Sequence, residues 1–198
     1  MSPKAATKSA AAATAAGPLS SPEVSVKLFV PDGSDVRLLE LIPVFHRWIR
    51  QDLIADELMI DVANYEHVPK GPGIVLVCDK AHFYFDELRG RSGLRYRGRR
   101  QARASGAEAL TRAFRSAMHA AELLESDPVL EGRYRFRTDE IEVGINDRLR
   151  APSTPETLAA ARPAIEEAVR AVYGTSATSL ELTSGPREPF TVSVKTGA

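Results

Sequence analysis

Two stretches of the chain carry the same residue pattern, and residue i of the first aligns with residue i + 120 of the second without a gap. Residues 34–50 read SDVRLLELIPVFHRWIR, and residues 154–170 read TPETLAAARPAIEEAVR. Each stretch spaces its apolar residues with the period of a helix and holds a proline, Pro43 or Pro163, in its middle. The match predicts that one small folding unit occurs twice, which constrains the architecture but not the chemistry.

The repeat predicts an α+β fold with a mostly antiparallel sheet and three main helices, built from two pseudo-symmetric β-α-β-β units. We expect a disordered Ala/Ser/Pro tail at 1–22, because such a composition cannot offset the entropy of ordering. The remainder forms a single α+β domain at 23–198: repeat 1 at about 24–86, a bridging loop and helix at 87–130, and repeat 2 at about 131–195.

Alternation of apolar and polar residues predicts the strands, and caps and spacing predict the helices. The expected strands are Val24–Val30, Leu58–Val62, Ile74–Cys78, Ala81–Phe85, Leu94–Arg97, Tyr134–Arg137, Glu140–Ile145, Ser179–Leu182 and Phe190–Val194. The expected helices are one capped by Ser34, a second at Ala107–Glu125, and a third capped by Thr154 and ended by Gly174. Each shared proline would lie nine residues after its cap, where it interrupts a helix and costs about 3 kcal/mol unless the helix kinks.

Overall composition gives the chain no global affinity for nucleic acid or membrane, since 26 Lys and Arg balance 26 Asp and Glu. The single cysteine, Cys78, excludes an internal disulfide and fits a reducing compartment. No apolar run approaches the roughly 20 residues of a membrane-spanning helix. The amino end lacks the apolar core of a signal peptide. We therefore expect a cytoplasmic protein.

The strongest functional signal is the density of arginine between residues 87 and 115, where nine arginines face two glutamates. Alternating arginines at 133, 135 and 137 would extend the same surface if they lay on one face of a strand. The candidate binding surface comprises Arg89, Arg91, Arg95, Tyr96, Arg97, Arg99, Arg100, Arg103, Arg133 and Arg135, with Tyr134 as a second ring for stacking. An acidic protein partner is the interpretation we favour for this surface.

Three alternatives remain open for the arginines. They could pair with acidic residues of this chain, or they could bind the phosphates of nucleic acid with little sequence preference. Self-association through open sheet edges is a further possibility. Against nucleic acid, the chain has neither an aromatic RNA-binding motif nor zinc-finger spacing.

A cleft between the repeats is the candidate site for an enzyme or a small-ligand binder, with His46, Trp48, Asp61 and His67 as its residues. The four histidines have no close metal-ligand spacing, so we expect no metal or other cofactor. Cys78 ends an apolar strand and is expected to be an inert core residue. No nucleophile elbow or phosphate-binding loop occurs, so no catalytic residue is assigned.

Three segments, IPVFHRWIR (42–50), HVPKGPGIVLV (67–77) and INDRLRAP (145–152), resemble those of an uncharacterised family of soluble bacterial proteins. The resemblance covers most of the chain from about residue 24 and implies a bacterial, soluble protein that folds as one unit. It brings no activity, cofactor or site residue, and the alanine-rich tail and dense arginine run depart from the family pattern. The sequence favours a non-enzymatic interaction or scaffold protein with an arginine-rich surface.

Overall fold

The computed structural model describes residues 23–69, 71–99 and 106–197, which form eight strands and three helices. The elements are β1 (Val24–Phe29), α1 (Leu41–Gln51), β2 (Met59–Asn64), β3 (Ile74–Cys78), β4 (Ala81–Asp86), β5 (Gly93–Gly98), α2 (Gly106–Glu125), β6 (Glu140–Ile145), α3 (Pro155–Tyr173), β7 (Ala177–Leu182) and β8 (Phe190–Thr196). Three short 3₁₀ turns, at Leu38–Glu40, Leu88–Gly90 and Pro128–Leu130, complete the secondary structure of this part of the chain.

All eight strands belong to one sheet, in the order β2-β3-β4-β5-β1-β6-β8-β7, and every neighbouring pair is antiparallel. The predicted α+β class with an antiparallel sheet is therefore confirmed. The predicted tail at 1–22 lies outside the described residues. None of the helices in the described part of the chain is long and apolar enough to cross a membrane.

All three helices pack on the same face of the sheet. Val26 of β1 lies in one core with Trp48 of α1, Phe114 of α2 and Ile165 of α3. Successive side chains of a strand point to opposite faces, so Lys27, the next residue after Val26, lies on the other face. No helix of the described residues covers that second surface, which we call the helix-free face.

Helix α2 lies at the centre of the core and packs against β1, β5 and α3. Alanine is a strong helix former, and its small side chain lets the helix axis approach its neighbours closely. The buried alanines of this helix are Ala109, Ala113, Ala117, Ala120 and Ala121. The alanine-rich composition thus serves close packing at this position.

The structure confirms most predicted elements and both caps of the third helix. The Thr154 hydroxyl accepts a hydrogen bond from the Thr157 amide at 3.3 Å, and Gly174 ends the helix with φ of 69°.

The predicted strand at Tyr134–Arg137 is wrong, because that segment is irregular. Its polar groups are satisfied elsewhere: the Tyr134 hydroxyl donates to the Arg37 carbonyl at 3.0 Å, and the Phe136 amide donates to Glu125.

The two shared prolines do not lie at the same depth in their helices. Ser34 caps no helix, since its hydroxyl donates to the Pro31 carbonyl, and α1 begins only at Leu41. Pro43 is therefore in the first turn of α1, where a missing amide hydrogen costs little. Pro163 is an interior residue of α3. The predicted interior proline in the first helix is wrong.

The two predicted repeats lie in opposite halves of the sheet, with β1 and β6 adjacent at its centre. In one half β8 pairs directly with β6, whereas in the other the hairpin of β4 and β5 separates β3 from β1. The internal repeat stays a prediction.

The outermost strands of the sheet are β2 and β7. Each has a shift in its pairing register, which lies between Met59 and Asp61 in β2 and between Ala177 and Ser179 in β7. Such irregularities protect edge strands from pairing with another chain. Self-association through these edges stays a prediction.

Replacing each shared proline with alanine should affect the free energy of unfolding differently in the two helices. Pro163→Ala should raise the free energy of unfolding by up to about 3 kcal/mol, because the new residue supplies a hydrogen-bond donor inside α3. Pro43→Ala should change it by less than about 0.5 kcal/mol, as is usual at exposed first-turn positions. Urea denaturation of both variants measures the difference. Equal gains for the two variants would show that the prolines are equivalent after all.

Candidate interaction surface

The helix-free face presents rows of polar side chains across the sheet. The pairing register places Tyr84, Arg95, Lys27, Glu142 and Ser193 in one row across β4, β5, β1, β6 and β8. A polar face of this kind needs internal charge pairing wherever water is excluded from it.

At the centre of this face, Asp86 binds two cations. Its carboxylate accepts hydrogen bonds from Lys27 Nζ at 2.5 Å and from Arg95 Nε at 2.7 Å, and Arg95 also binds Glu142 at 2.7 Å. Lys27 and Asp86 are each 1% exposed and Arg95 is 8% exposed. The two cations and two carboxylates balance, which is what allows four charged groups to be buried together. We call these four residues the Asp86 network.

The pKa shifts inside the Asp86 network follow from burial and from the neighbouring opposite charges. Burial acts to raise the pKa of Asp86, but Arg95 and Lys27 outweigh it and hold that pKa below its ordinary value. Burial lowers the pKa of Lys27, and Asp86 offsets only part of this effect. For Arg95, burial opposes protonation, yet Asp86 and Glu142 raise its pKa.

Two loops come together over the Asp86 network. Arg89, in the loop after β4, donates to Glu188, in the loop after β7, at 2.8 Å and to Thr183 at 3.3 Å. Arg89 has φ of 60° and Gly90 has φ of 69°, so two successive residues adopt the left-handed conformation that most side chains avoid. Together with the sheet, these loops border an open cavity of about 180 Å³.

Several predicted surface arginines are paired with carboxylates of this chain. Arg91 binds both oxygens of Glu140, at 2.8 and 2.9 Å, and stacks 3.7 Å above the ring centroid of Phe29. Arg133 contacts Glu40 and Glu131. Arg89 and Arg95 are paired as described above. These arginines therefore stabilise the fold. This is the alternative in which they pair with acidic residues of the chain itself.

The remaining members of the predicted surface differ in their contacts and in their exposure. Arg97 approaches Glu23 at 3.6 Å, Arg99 donates to the Asp79 carbonyl at 3.2 Å, and Arg135 approaches Glu125 at 3.9 Å. Arg100 and Arg103 lie outside the described residues. The rings of Tyr96 and Tyr134 are buried in the core, so neither ring is accessible for stacking on a ligand.

The predicted cleft residues are not brought together. Trp48 is 1% exposed and packs against Phe45 with ring centroids 5.1 Å apart, so it lines no open cleft. Asp61 pairs in register with Val77, away from the core, while His46 and His67 are exposed on α1 and on the loop after β2. Among the described residues, no three His, Cys, Asp or Glu side chains could hold a metal ion together.

A larger surface feature lies where four loops meet, and no pattern in the sequence predicts it. It is a groove of about 1140 Å³ whose walls include Leu39, Tyr65, Val68 and Leu88. These are four of the eight large hydrophobic residues that are exposed in the described chain, each between 40% and 53% exposed. Clustered apolar exposure of this kind marks interaction surfaces, whereas single exposed residues do not. We call this feature the loop groove.

A glycine fixes one wall of the loop groove. Gly73 has φ of 65°, and a Cβ atom there would lie 2.7 Å from the Phe85 carbonyl oxygen and 3.1 Å from Leu38 Cδ1. The loop after β2 therefore packs directly on β4 and on the segment before α1. Backbone packing at Gly73 therefore positions this wall of the groove.

Charges at the rim of the loop groove are unequal in their pairing. Arg37 binds Asp35 at 2.8 Å, and Arg89 is bound to Glu188. The carboxylates of Glu66 and Glu87, by contrast, have no ion pair with any described residue. Among the described residues of this rim, the unpaired charge is therefore negative.

Neither the Asp86 network nor the loop groove could be predicted from the sequence. Lys27 stands between Val26 and Leu28, which indicates the second face of a strand but not a buried partner 59 residues away. Leu39, Tyr65, Val68 and Leu88 lie in loops, where an apolar residue gives no sign of whether it is exposed or buried. No protein-family model matches the chain, and neither does any curated protein, so the resemblance to a bacterial family stays a prediction.

Asp86→Asn should destabilise the protein by about 3–5 kcal/mol, because it leaves Lys27 buried without a counterion and leaves Arg95 with Glu142 alone. Asp139→Asn is the matched control, since Asp139 pairs with Arg137 at an exposed site where such a pair contributes at most about 1 kcal/mol. Guanidinium denaturation at pH 7 measures both. A loss no larger than that of the control would contradict a structural role for the network.

Acidification should remove the same contribution from the wild-type protein. The folded pKa of Asp86 is below its ordinary value of 3.8, so its contribution is fully present above about pH 4 and is lost as the pH falls through the lowered pKa. The stability difference between wild type and Asp86→Asn should therefore shrink below about pH 4. A difference that persists unchanged at low pH would show that the carboxylate charge is not responsible.

Proposed function

We propose that this chain is a non-enzymatic interaction protein that binds an apolar segment of a partner protein in the loop groove. The observation that carries the proposal is the meeting of Leu39, Tyr65, Val68 and Leu88 at one cavity of the surface. Leaving such a patch in water is unfavourable, and burying it against a partner releases that free energy.

The chemistry of the loop groove specifies the partner. An apolar side chain of the partner would fit between Leu39 and Leu88, and Tyr65 offers the amphipathic ring that is frequent at binding hot spots. Glu66 and Glu87 at the rim favour a basic residue beside the apolar anchor, because the arginines of the same rim are already paired. The proposed partner is therefore an apolar segment with a flanking lysine or arginine.

Selection of peptides from a displayed random library tests this proposal. We expect peptides with apolar anchors next to Lys or Arg, and we expect Leu88→Glu and Tyr65→Ala each to weaken their binding at least about 30-fold, as for hot-spot residues. Leu149→Glu is the control, because Leu149 is 92% exposed and is not among the groove residues. Titration calorimetry gives the affinities, and thermal melting verifies that each variant is folded.

Two outcomes would overturn the proposal. One is that no peptide is selected by the folded wild-type protein. The other is that the selected peptides bind the wild type and both groove variants equally well.

A second candidate function, recognition of an acidic partner by arginine, is favoured by one region. Among the described residues, Arg99 donates to one carbonyl oxygen and has no ion pair. The pKa of His82 is lowered first by burial and then by the charges of Arg99 and Arg97. These residues indicate a locally positive potential at the ends of β4 and β5. The same potential would also attract nucleic acid, the other candidate polyanion.

Removing both arginines tests this second candidate. Arg97→Ala with Arg99→Ala should reduce retention on heparin and weaken binding to a polyglutamate peptide, with a steep dependence on salt. Arg170→Ala, at an exposed position of α3, is the control. Single-stranded DNA serves as the competing probe, and tighter binding to DNA than to the peptide would favour nucleic acid. Absence of retention at low salt would exclude both.

A further inference from the structure

A second pocket lies on the other side of the molecule and shares no lining residue with the loop groove. It has a volume of about 810 Å³ and is bounded by the turn after α1, by Lys80 before β4, and by one side of α2. Because Glu57 belongs to the turn after α1 and lies at this pocket, we call it the Glu57 pocket.

Glu57 is an unusual residue for such a position. It is 6% exposed, and its Oε2 atom is buried without a hydrogen-bond partner. An unpaired buried carboxylate oxygen costs free energy that a native fold rarely accepts without a reason. Burial raises the pKa of Glu57, while Lys80 and Arg112 lower it in part, so both cations lie close enough to act on the carboxylate.

Across the pocket, α2 presents cations that lack carboxylate partners. Arg112 and Arg115 line the pocket one turn apart, and neither forms an ion pair with any described residue. Lys80 Nζ, in contrast, donates to the Asp56 carbonyl at 2.6 Å, and the His119 Nε2 atom lies 3.0 Å from the Leu53 carbonyl oxygen. The guanidinium groups of Arg112 and Arg115 therefore remain available to bind an anion.

Among the described residues, the pocket thus combines an unpartnered carboxylate oxygen of Glu57 with two guanidinium groups that have no ion pair. Its other charged residues, Asp56, Glu108 and Glu167, balance the cations, so the pocket as a whole does not favour a simple anion. A molecule with separated charges of both signs suits it better. Its ammonium group would donate to Glu57, and its carboxylate would accept from Arg112 and Arg115, as guanidinium groups bind carboxylates in other proteins.

We infer that the Glu57 pocket binds a small zwitterion of the amino-acid class. The pocket is lined by one buried carboxylate and by two guanidinium groups, which match the ammonium and the carboxylate of an α-amino acid. Its volume lies within the range of about 300–1000 Å³ typical of small-molecule sites. The inference is independent of partner binding in the loop groove.

Titration calorimetry of the full chain with each of the free L-amino acids tests the inference. We expect at least one of them to bind, and we expect Glu57→Gln and Arg112→Met each to weaken that binding about 10- to 100-fold, the usual effect of losing a hydrogen bond to a charged group. Arg170→Met is the matched control and should leave the affinity unchanged.

Two derivatives of the bound amino acid each lack one of its charged groups. They test the two charges one at a time without changing the protein. The N-acetyl derivative lacks the ammonium group, so its binding should be weak and insensitive to Glu57→Gln. The carboxamide lacks the carboxylate, so its binding should be weak and insensitive to Arg112→Met. Both derivatives are also measured with the wild-type protein. The contribution of each ligand charge to the affinity is therefore still tested if a variant fails to fold.

Three results would overturn the inference. They are the absence of binding by every amino acid, undiminished binding of both derivatives, and binding of acetate alone as tight as that of the amino acid. The last result would identify the site as one for simple anions.

Discussion

Asp86 makes the contact on which this architecture depends, because it neutralises two cations on the face of the sheet that no described helix covers. A sheet that packs helices on one face buries its apolar side chains there and has to satisfy the other face differently. Here the second face uses charge pairs in place of a second apolar layer. Lys27 and Arg95 meet one carboxylate from β4, and Glu142 completes the balance from β6. Four strands are thereby joined by ionic contacts in addition to their backbone hydrogen bonds.

Charge pairing also accounts for several arginines of the predicted binding surface. Arg89, Arg91, Arg95 and Arg133 each meet a carboxylate from a distant part of the chain. A guanidinium group suits this role, since it keeps its charge when buried and forms several hydrogen bonds in fixed directions. The loop groove and the Glu57 pocket differ from this pattern. The loop groove has exposed apolar walls, and both sites have charged groups without an ion pair among the described residues.

Both candidate sites lie at places where segments meet after folding. The loop groove forms because Gly73 allows one loop to lie against β4 and against the segment before α1. The Glu57 pocket forms because the turn after α1 approaches the side of α2 that carries Arg112 and Arg115. Neither site could be identified in the sequence, because the residues that form each of them come from separate parts of the chain. The sequence pointed instead to His46, Trp48, Asp61 and His67, which are distinctive residue types, and Trp48 is used in the core.

By itself the sequence determined the elements that depend on local rules. Alternating apolar residues placed the strands, and Thr154, Pro155 and Gly174 placed the ends of α3, because side-chain period and capping act within a few residues. Local rules failed at Ser34, whose hydroxyl donates to the Pro31 carbonyl and caps no helix. They also failed at Tyr134–Arg137, where Tyr134 and Phe136 contact residues that are distant in the chain. Only the tertiary structure decided which charges were paired and which apolar residues were exposed. Ion pairing and burial depend on the sheet order, and the order β2-β3-β4-β5-β1-β6-β8-β7 joins residues that are far apart in the chain.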